Sequence, residues 1–188
     1  MKKIIIFASG SGTNAERITT YFQEKGNAEV TLIITNNPQA GVLSRAKRLG
    51  VPTLVADRNA LYHSEIVLSL MKQLQPDLIV LAGFLWKFPT PIIEAFPNRI
   101  INIHPALLPK YGGKGMYGHF VHEAVIAHGE SESGITIHYV NEHYDQGTII
   151  YQAKTEVERS DNAERLAEKI HSLEYRHFPE VIERLLFP

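Results

Sequence analysis

The sequence predicts an α/β fold, a mixed and mostly parallel sheet with helices packed on its faces. Three features of the 188 residues point there. Short segments apolar at nearly every position recur, as strands covered on both faces must be. Segments with apolar residues at helical spacing separate them, the alternation of a doubly wound sheet. In the last third, two strands are joined by only a short polar turn, so that pair is antiparallel or mixed.

In chain order, the strand segments are KIIIFA (3–8), VTLIIT (30–35), PTLVA (52–56), LIVLA (78–82) and RIINIH (99–104). SEIVLSLMKQL (64–74) is one of the helical patterns between them. GITIHYV (134–140) and GTIIYQAKTEV (147–157) form the late pair. A final helix over 162–186 opens at SDNAE, with Ser160 or Asp161 as its cap. It turns Leu166, Ile170 and Leu173 inward and leaves Glu174 beside them, by default in solvent. Nothing reads as a repeat, low-complexity tract or linker, so one domain over 1–188 is expected.

Composition excludes several classes. A net charge of -1 gives no whole-protein reason to bind nucleic acid or an anionic membrane. The absence of cysteine removes disulfides and thiolate metal sites and fits a reducing compartment. MKKIIIFASGSGTN imitates a signal peptide, but its apolar run is too short and Gly, Ser and Asn follow at once. A cytoplasmic location is the expectation.

SGSGTNA (9–15) follows the first strand and opens the first helix. Glycines there let the backbone turn and approach an anion, and free amides at the helix start supply donors. Gly10, Gly12 and Ala15 satisfy a loose dinucleotide fingerprint, yet the second strand ends Thr35-Asn36-Asn37, without the acid that would hold a ribose. A phosphate on a smaller molecule fits better. The competing reading is a tight turn capped by Thr13 or Asn14.

NIHPALLPKYGGKGMYG (102–118) carries the second signal. Asn102 and His104 sit two apart on a strand and project to one side. At the carboxyl end of an open sheet they would face the ligand crevice. An amide and a protonated imidazole there can stabilise an oxyanion. Capping a loop or a buried carbonyl is the bland alternative. Asp145, in NEHYDQG, would favour the imidazolium and raise the His104 pKa if it lay nearby; alone, it reads as a turn residue. His119 and His122 lack a carboxylate set at metal spacing, so no metal is expected. FLWKFP (84–89) could wall a flat-ring pocket or edge the core.

SGSGTN, PDLIVLAGF, INIHPALLPKY, GITIHYVNEHYDQG and IHSLEYRHFPEVI together resemble the phosphoribosylglycinamide formyltransferases of purine synthesis. The resemblance spans nearly the whole chain. It implies a single-domain, Rossmann-like formyltransferase fold, monomeric or homodimeric, with 10-formyltetrahydrofolate as co-substrate and glycinamide ribonucleotide as acceptor. Gly12, Thr13 and Asn14 would hold the substrate phosphate, and His171 and Glu174 its glycinamide end. Leu85, Trp86, Lys87 and Phe88, with Asn102, would line the folate pocket, and Arg58 is the arginine at hand toward the folate tail. Asn102, His104 and Asp145 would be catalytic, and 111–118 a cover loop. A formyltetrahydrofolate hydrolase would use the same three residues with water as acceptor, whereas a binding module would use them structurally.

Overall fold

In the computed structural model, which describes residues 1–188, seven strands form one sheet in the order β3-β2-β1-β4-β5-β6-β7. They are β1 (Lys2–Phe7), β2 (Ala28–Thr35), β3 (Thr53–Val55), β4 (Leu78–Leu81), β5 (Ile100–His104), β6 (Glu132–Tyr139) and β7 (Ile149–Glu156). The first five run parallel, and β6 and β7 join antiparallel. Mixed and mostly parallel is therefore the architecture, as the apolar runs and the short late turn predict.

The helices are α1 (Thr13–Lys25), α2 (Gly41–Leu49), α3 (Ile66–Leu74), α4 (Thr90–Ala95), α5 (His119–Ala127) and α6 (Ala163–Leu186). Strand side chains alternate between two apolar layers. Ile4 and Ile6 of β1 pack with Ile18 and Phe22 of α1 and Ile170 and Phe178 of α6. Ile5 and Phe7 pack with Val67 and Met71 of α3 and Ile92 of α4. Both faces of the central strands are thus dry, which is why those segments carry no polar alternation. No helix is long and apolar enough to cross a membrane.

Two local features place the site. The chain leaves β1 toward β2 on one side and returns to β4 on the other, which opens a crevice at the carboxyl ends of β1 and β4. Helix α6 contains Pro179, which cannot donate to the carbonyl four residues back. Arg17 Nε supplies the missing donor, 3.1 Å from the Tyr175 carbonyl, and the helix runs on. The cap of α6 differs from expectation: Asn162 Oδ1 accepts from the Arg165 amide at 3.0 Å, in place of Ser160 or Asp161.

Candidate active site

The loop after β1 is a turn that only glycine can make. Gly12 has φ 76, and a Cβ there would lie 2.4 Å from Val42 Cγ2 and 2.8 Å from Val42 Cα. The loop's carbonyls are tied back into the protein. Gly10 O accepts from the Val42 amide at 3.1 Å, Ser11 O from Arg45 Nε at 2.8 Å and Gly12 O from the Glu16 amide at 2.9 Å. The first amides of α1, which no helix can satisfy internally, are left for an anion. Neither Thr13 nor Asn14 caps α1; Gly12 occupies the cap position with no side-chain bond.

Asn14 looks across to α6, where its Nδ2 donates to Glu174 Oε2 at 2.9 Å. Glu174 is only 6 % exposed, which corrects the expectation of a solvated carboxylate. Its position one helical turn after His171 turns both into the crevice. Burial raises its pKa to about 7, the Asn14 amide acting against the shift. Between its ordinary 4.5 and about 7, the folded chain keeps a proton that the unfolded chain has lost. Stability therefore falls as pH rises across that window, by about 3 kcal/mol at most, and stays lower above it. Glu174→Gln removes this dependence. Thermal unfolding should place the variant above the native protein at pH 8 and close to it at pH 4.5. Identical pH slopes for the two proteins would refute a raised, buried carboxyl.

The middle of the site is assembled by β5, β6 and the turn between β6 and β7. Asn102 and His104 stand two apart on β5, and Asp145 reaches both. Asn102 Nδ2 donates to Asp145 Oδ1 at 3.4 Å, and His104 Nδ1 lies 3.6 Å from Asp145 Oδ2. His138, the β6 partner of Asn102 in register, completes the group. Its Nδ1 donates to the Tyr139 carbonyl at 2.9 Å, so its Nε2 accepts from Asn102 Nδ2 at 3.1 Å. The turn depends on Gly147, where a Cβ would lie 1.6 Å from the Tyr139 carbonyl oxygen. Asp145 itself has φ 54, a left-handed conformation that aspartate tolerates better than most residues.

Electrostatics here correct one expectation. Burial pushes the His104 pKa down, and the Asp145 carboxylate and Tyr111 carbonyl only partly offset it. The net is a depressed value, so Asp145 raises the imidazole as anticipated but desolvation wins. Asp145 shows the opposite balance. Burial pushes it up, yet the neighbouring His138, the Gly113 amide and, when protonated, His104 together hold it below the ordinary carboxylate range.

The far wall comes from the loop after β4. Leu85, Trp86, Lys87 and Phe88 all line the same cavity as Asn102 and His104. Phe88 is packed edge-on against Phe7 at 4.9 Å, while Leu85, also in the cavity wall, is 45 % exposed. The Arg58 guanidinium lies 4.6 Å over the Trp86 ring. The Leu85 amide donates to Ser9 Oγ at 3.0 Å, which ties this loop to the glycine turn. One cavity of about 780 Å³ joins all of these residues, a size that admits a large ligand or two smaller ones.

Every residue predicted for the site lines that cavity. Sequence reasoning missed His138, whose only trace was its place in an alternating strand opposite an unknown partner. It also set His122 aside. That ring is 3 % exposed, its Nδ1 has no hydrogen-bond partner, and burial with nearby His171, His119 and His104 pushes its pKa to about 4.

A family model described as formyl transferase matches residues 2–182. The chain belongs to the formyl transferase family. Among its relatives, the phosphoribosylglycinamide formyltransferase of Bacillus subtilis is 34% identical over 191 residues, covering 99% of this chain and 95% of that protein. The chloroplastic phosphoribosylglycinamide formyltransferase of Arabidopsis thaliana is 39% identical over 188 residues and 96% of this chain. This formyl transferase chain spans 64% of the Arabidopsis protein and 61% of its Vigna unguiculata counterpart. The crystal structure of phosphoribosylglycinamide formyltransferase from Bacillus halodurans superposes with TM-score 0.87 at 37% identity, covering 99% of this chain and 96% of that one. That from Streptococcus pneumoniae gives 0.86 at 33% identity, covering 98% and 99%.

Proposed function

We propose that residues 1–188 form one domain that transfers the formyl group of 10-formyltetrahydrofolate to the amine of glycinamide ribonucleotide, in de novo purine synthesis. The observation that carries this reading is the convergence of Asn102, His104 and Asp145 in the middle of a cavity with two unlike ends. At one end, the glycine turn and Glu174 suit a phosphorylated, hydroxyl- and amine-bearing acceptor. At the other, Leu85 to Phe88 offer apolar surface and backbone groups to a flat heterocycle, and Arg58 stands by for an anionic tail.

The reaction is a direct acyl transfer. The acceptor amine attacks the formyl carbon, the carbonyl π electrons move to oxygen, and a tetrahedral oxyanion forms. Asn102 can offer it the N–H that Asp145 holds at only 3.4 Å, since the N–H on His138 is the better bound at 3.1 Å. His104 contributes its positive charge when protonated. Because burial disfavours that charge in the empty site, the cation forms best when the oxyanion supplies a counter-charge. Asp145 takes the proton lost by the attacking amine, through water. Collapse then breaks the bond to the folate nitrogen, which takes that proton back from Asp145 through water and leaves as the amine of tetrahydrofolate. Of the expected cover loop 111–118, Gly113 to Gly118 line the cavity and keep water from the formyl group.

A cytoplasmic enzyme, monomeric or homodimeric and acting on small molecules with neither nucleic acid nor membrane as partner, is part of the same reading. A folate-release assay with and without glycinamide ribonucleotide tests it. Release that requires the amine is the expected result. Release without the amine would make the protein a hydrolase, and no release in either case would make it a binder.

A further inference from the structure

We propose that Tyr111 and Glu130 are positioning residues for His104: they anchor a loop root that holds one imidazole nitrogen and so directs the second proton to the other. The kinetic part of this inference rests on the function proposed above; the structural part does not.

His104 Nε2 lies 2.7 Å from the Tyr111 carbonyl oxygen. A carbonyl only accepts, so Nε2 carries a hydrogen. Any further proton must enter at Nδ1, which faces Asp145 Oδ2 at 3.6 Å. The other titratable groups around this ring are His138 and His122, and neither bonds to it. One backbone carbonyl thus selects the tautomer and aims the ring.

That carbonyl is held in a costly place. Tyr111 has φ 56, a left-handed conformation that a bulky residue adopts only under constraint. The constraint comes from outside the reaction cavity. Tyr111 Oη donates to Glu130 Oε1 at 2.9 Å, and Lys110 Nζ donates to both oxygens of the same carboxylate, at 2.9 and 3.2 Å. The Tyr111 ring packs edge-on against His128 at 5.7 Å. Tyr111 and Glu130 line a separate cavity of about 260 Å³ and not the large one.

The same root grips the carboxylate. The Gly113 amide donates to Asp145 Oδ2 at 2.9 Å. Between the two, Gly112 passes so close that a Cβ would lie 2.5 Å from Leu108 Cδ2 and 3.4 Å from Asp145 Cβ. Three consecutive residues therefore fix His104 and Asp145 relative to each other through main-chain atoms, and the Tyr111 hydroxyl is the external peg.

Tyr111→Phe and Glu130→Ala remove the peg, and Glu130→Gln keeps an acceptor for the hydroxyl. Two readouts are needed: imidazole 15N NMR of the ligand-free protein at pH 8, and steady-state kinetics. In the native protein His104 should appear as the Nε2-protonated tautomer. In Tyr111→Phe and Glu130→Ala it should become a mixture of tautomers, with kcat lower by about tenfold and both KM values within about twofold, as expected when a reacting group loses its aim. Glu130→Gln should restore the native signal and rate. An unchanged His104 signal and kcat in Tyr111→Phe and Glu130→Ala, with normal thermal unfolding, would overturn the assignment. So would a Glu130→Gln variant as impaired as Glu130→Ala. Absence of formyl transfer by the native protein would remove the proposed function alone, since the NMR result stands without turnover.

Discussion

His104→Ala should lower kcat by about 100-fold or more while leaving both KM values near the native ones. The reason is where this ring acts. It is 3 % exposed, it touches Tyr111 and Asp145, and it lines the crevice where the proposed transfer would place the migrating carbon. A preorganised stabilising group at a developing oxyanion, here the imidazolium charge, is worth about 3 kcal/mol in comparable acyl chemistry, because the charge it meets is small in the ground state. Ground-state binding comes instead from the two ends of the cavity, which the substitution leaves alone. The truncation also opens space beside a packed strand, so thermal unfolding should accompany the kinetics. A folded variant turning over within a few-fold of native would deprive His104 of its role.

Gly12→Ala should raise the KM for the phosphorylated acceptor by about 100-fold or more, the loss expected when two amide bonds to a charged group are broken. The added methyl has nowhere to go. It would overlap Val42 side-chain atoms at 2.4 and 2.5 Å and its backbone at 2.8 Å, and the φ of 76 is itself unfavourable to alanine. The turn must move, and the amides at the start of α1 move with it. A dephosphorylated acceptor supplies the control: it should bind weakly to both proteins, with little difference between them. Equal KM increases for both acceptors would argue against anion binding at this turn.

Much of the fold was legible because its signal is local. Runs such as IIIF and LIVL are apolar at each position since β1 and β4 are covered on both faces, and that requires no knowledge of their neighbours. The glycine turn was legible for the same reason, as strand, turn and helix follow one another directly. The late turn was also readable, though its φ at Asp145 and the near-contact at Gly147 were not. Arg17 as the partner of the carbonyl freed by Pro179 has no sequence signal at all, because the two lie 158 positions apart.

The sequence by itself determined the order of the strands and helices along the chain, a ligand crevice at the carboxyl ends of the strands, and the presence of Asn102 and His104 on one side of a strand. Local periodicity and turn chemistry suffice for those. Only the tertiary structure decided that Asp145 reaches His104, that His138 stands opposite Asn102, and that Glu174 is buried. Antiparallel register and loop path depend on contacts between distant segments. Burial depends on everything packed around a group, and it is burial that depresses the His104 pKa and raises that of Glu174.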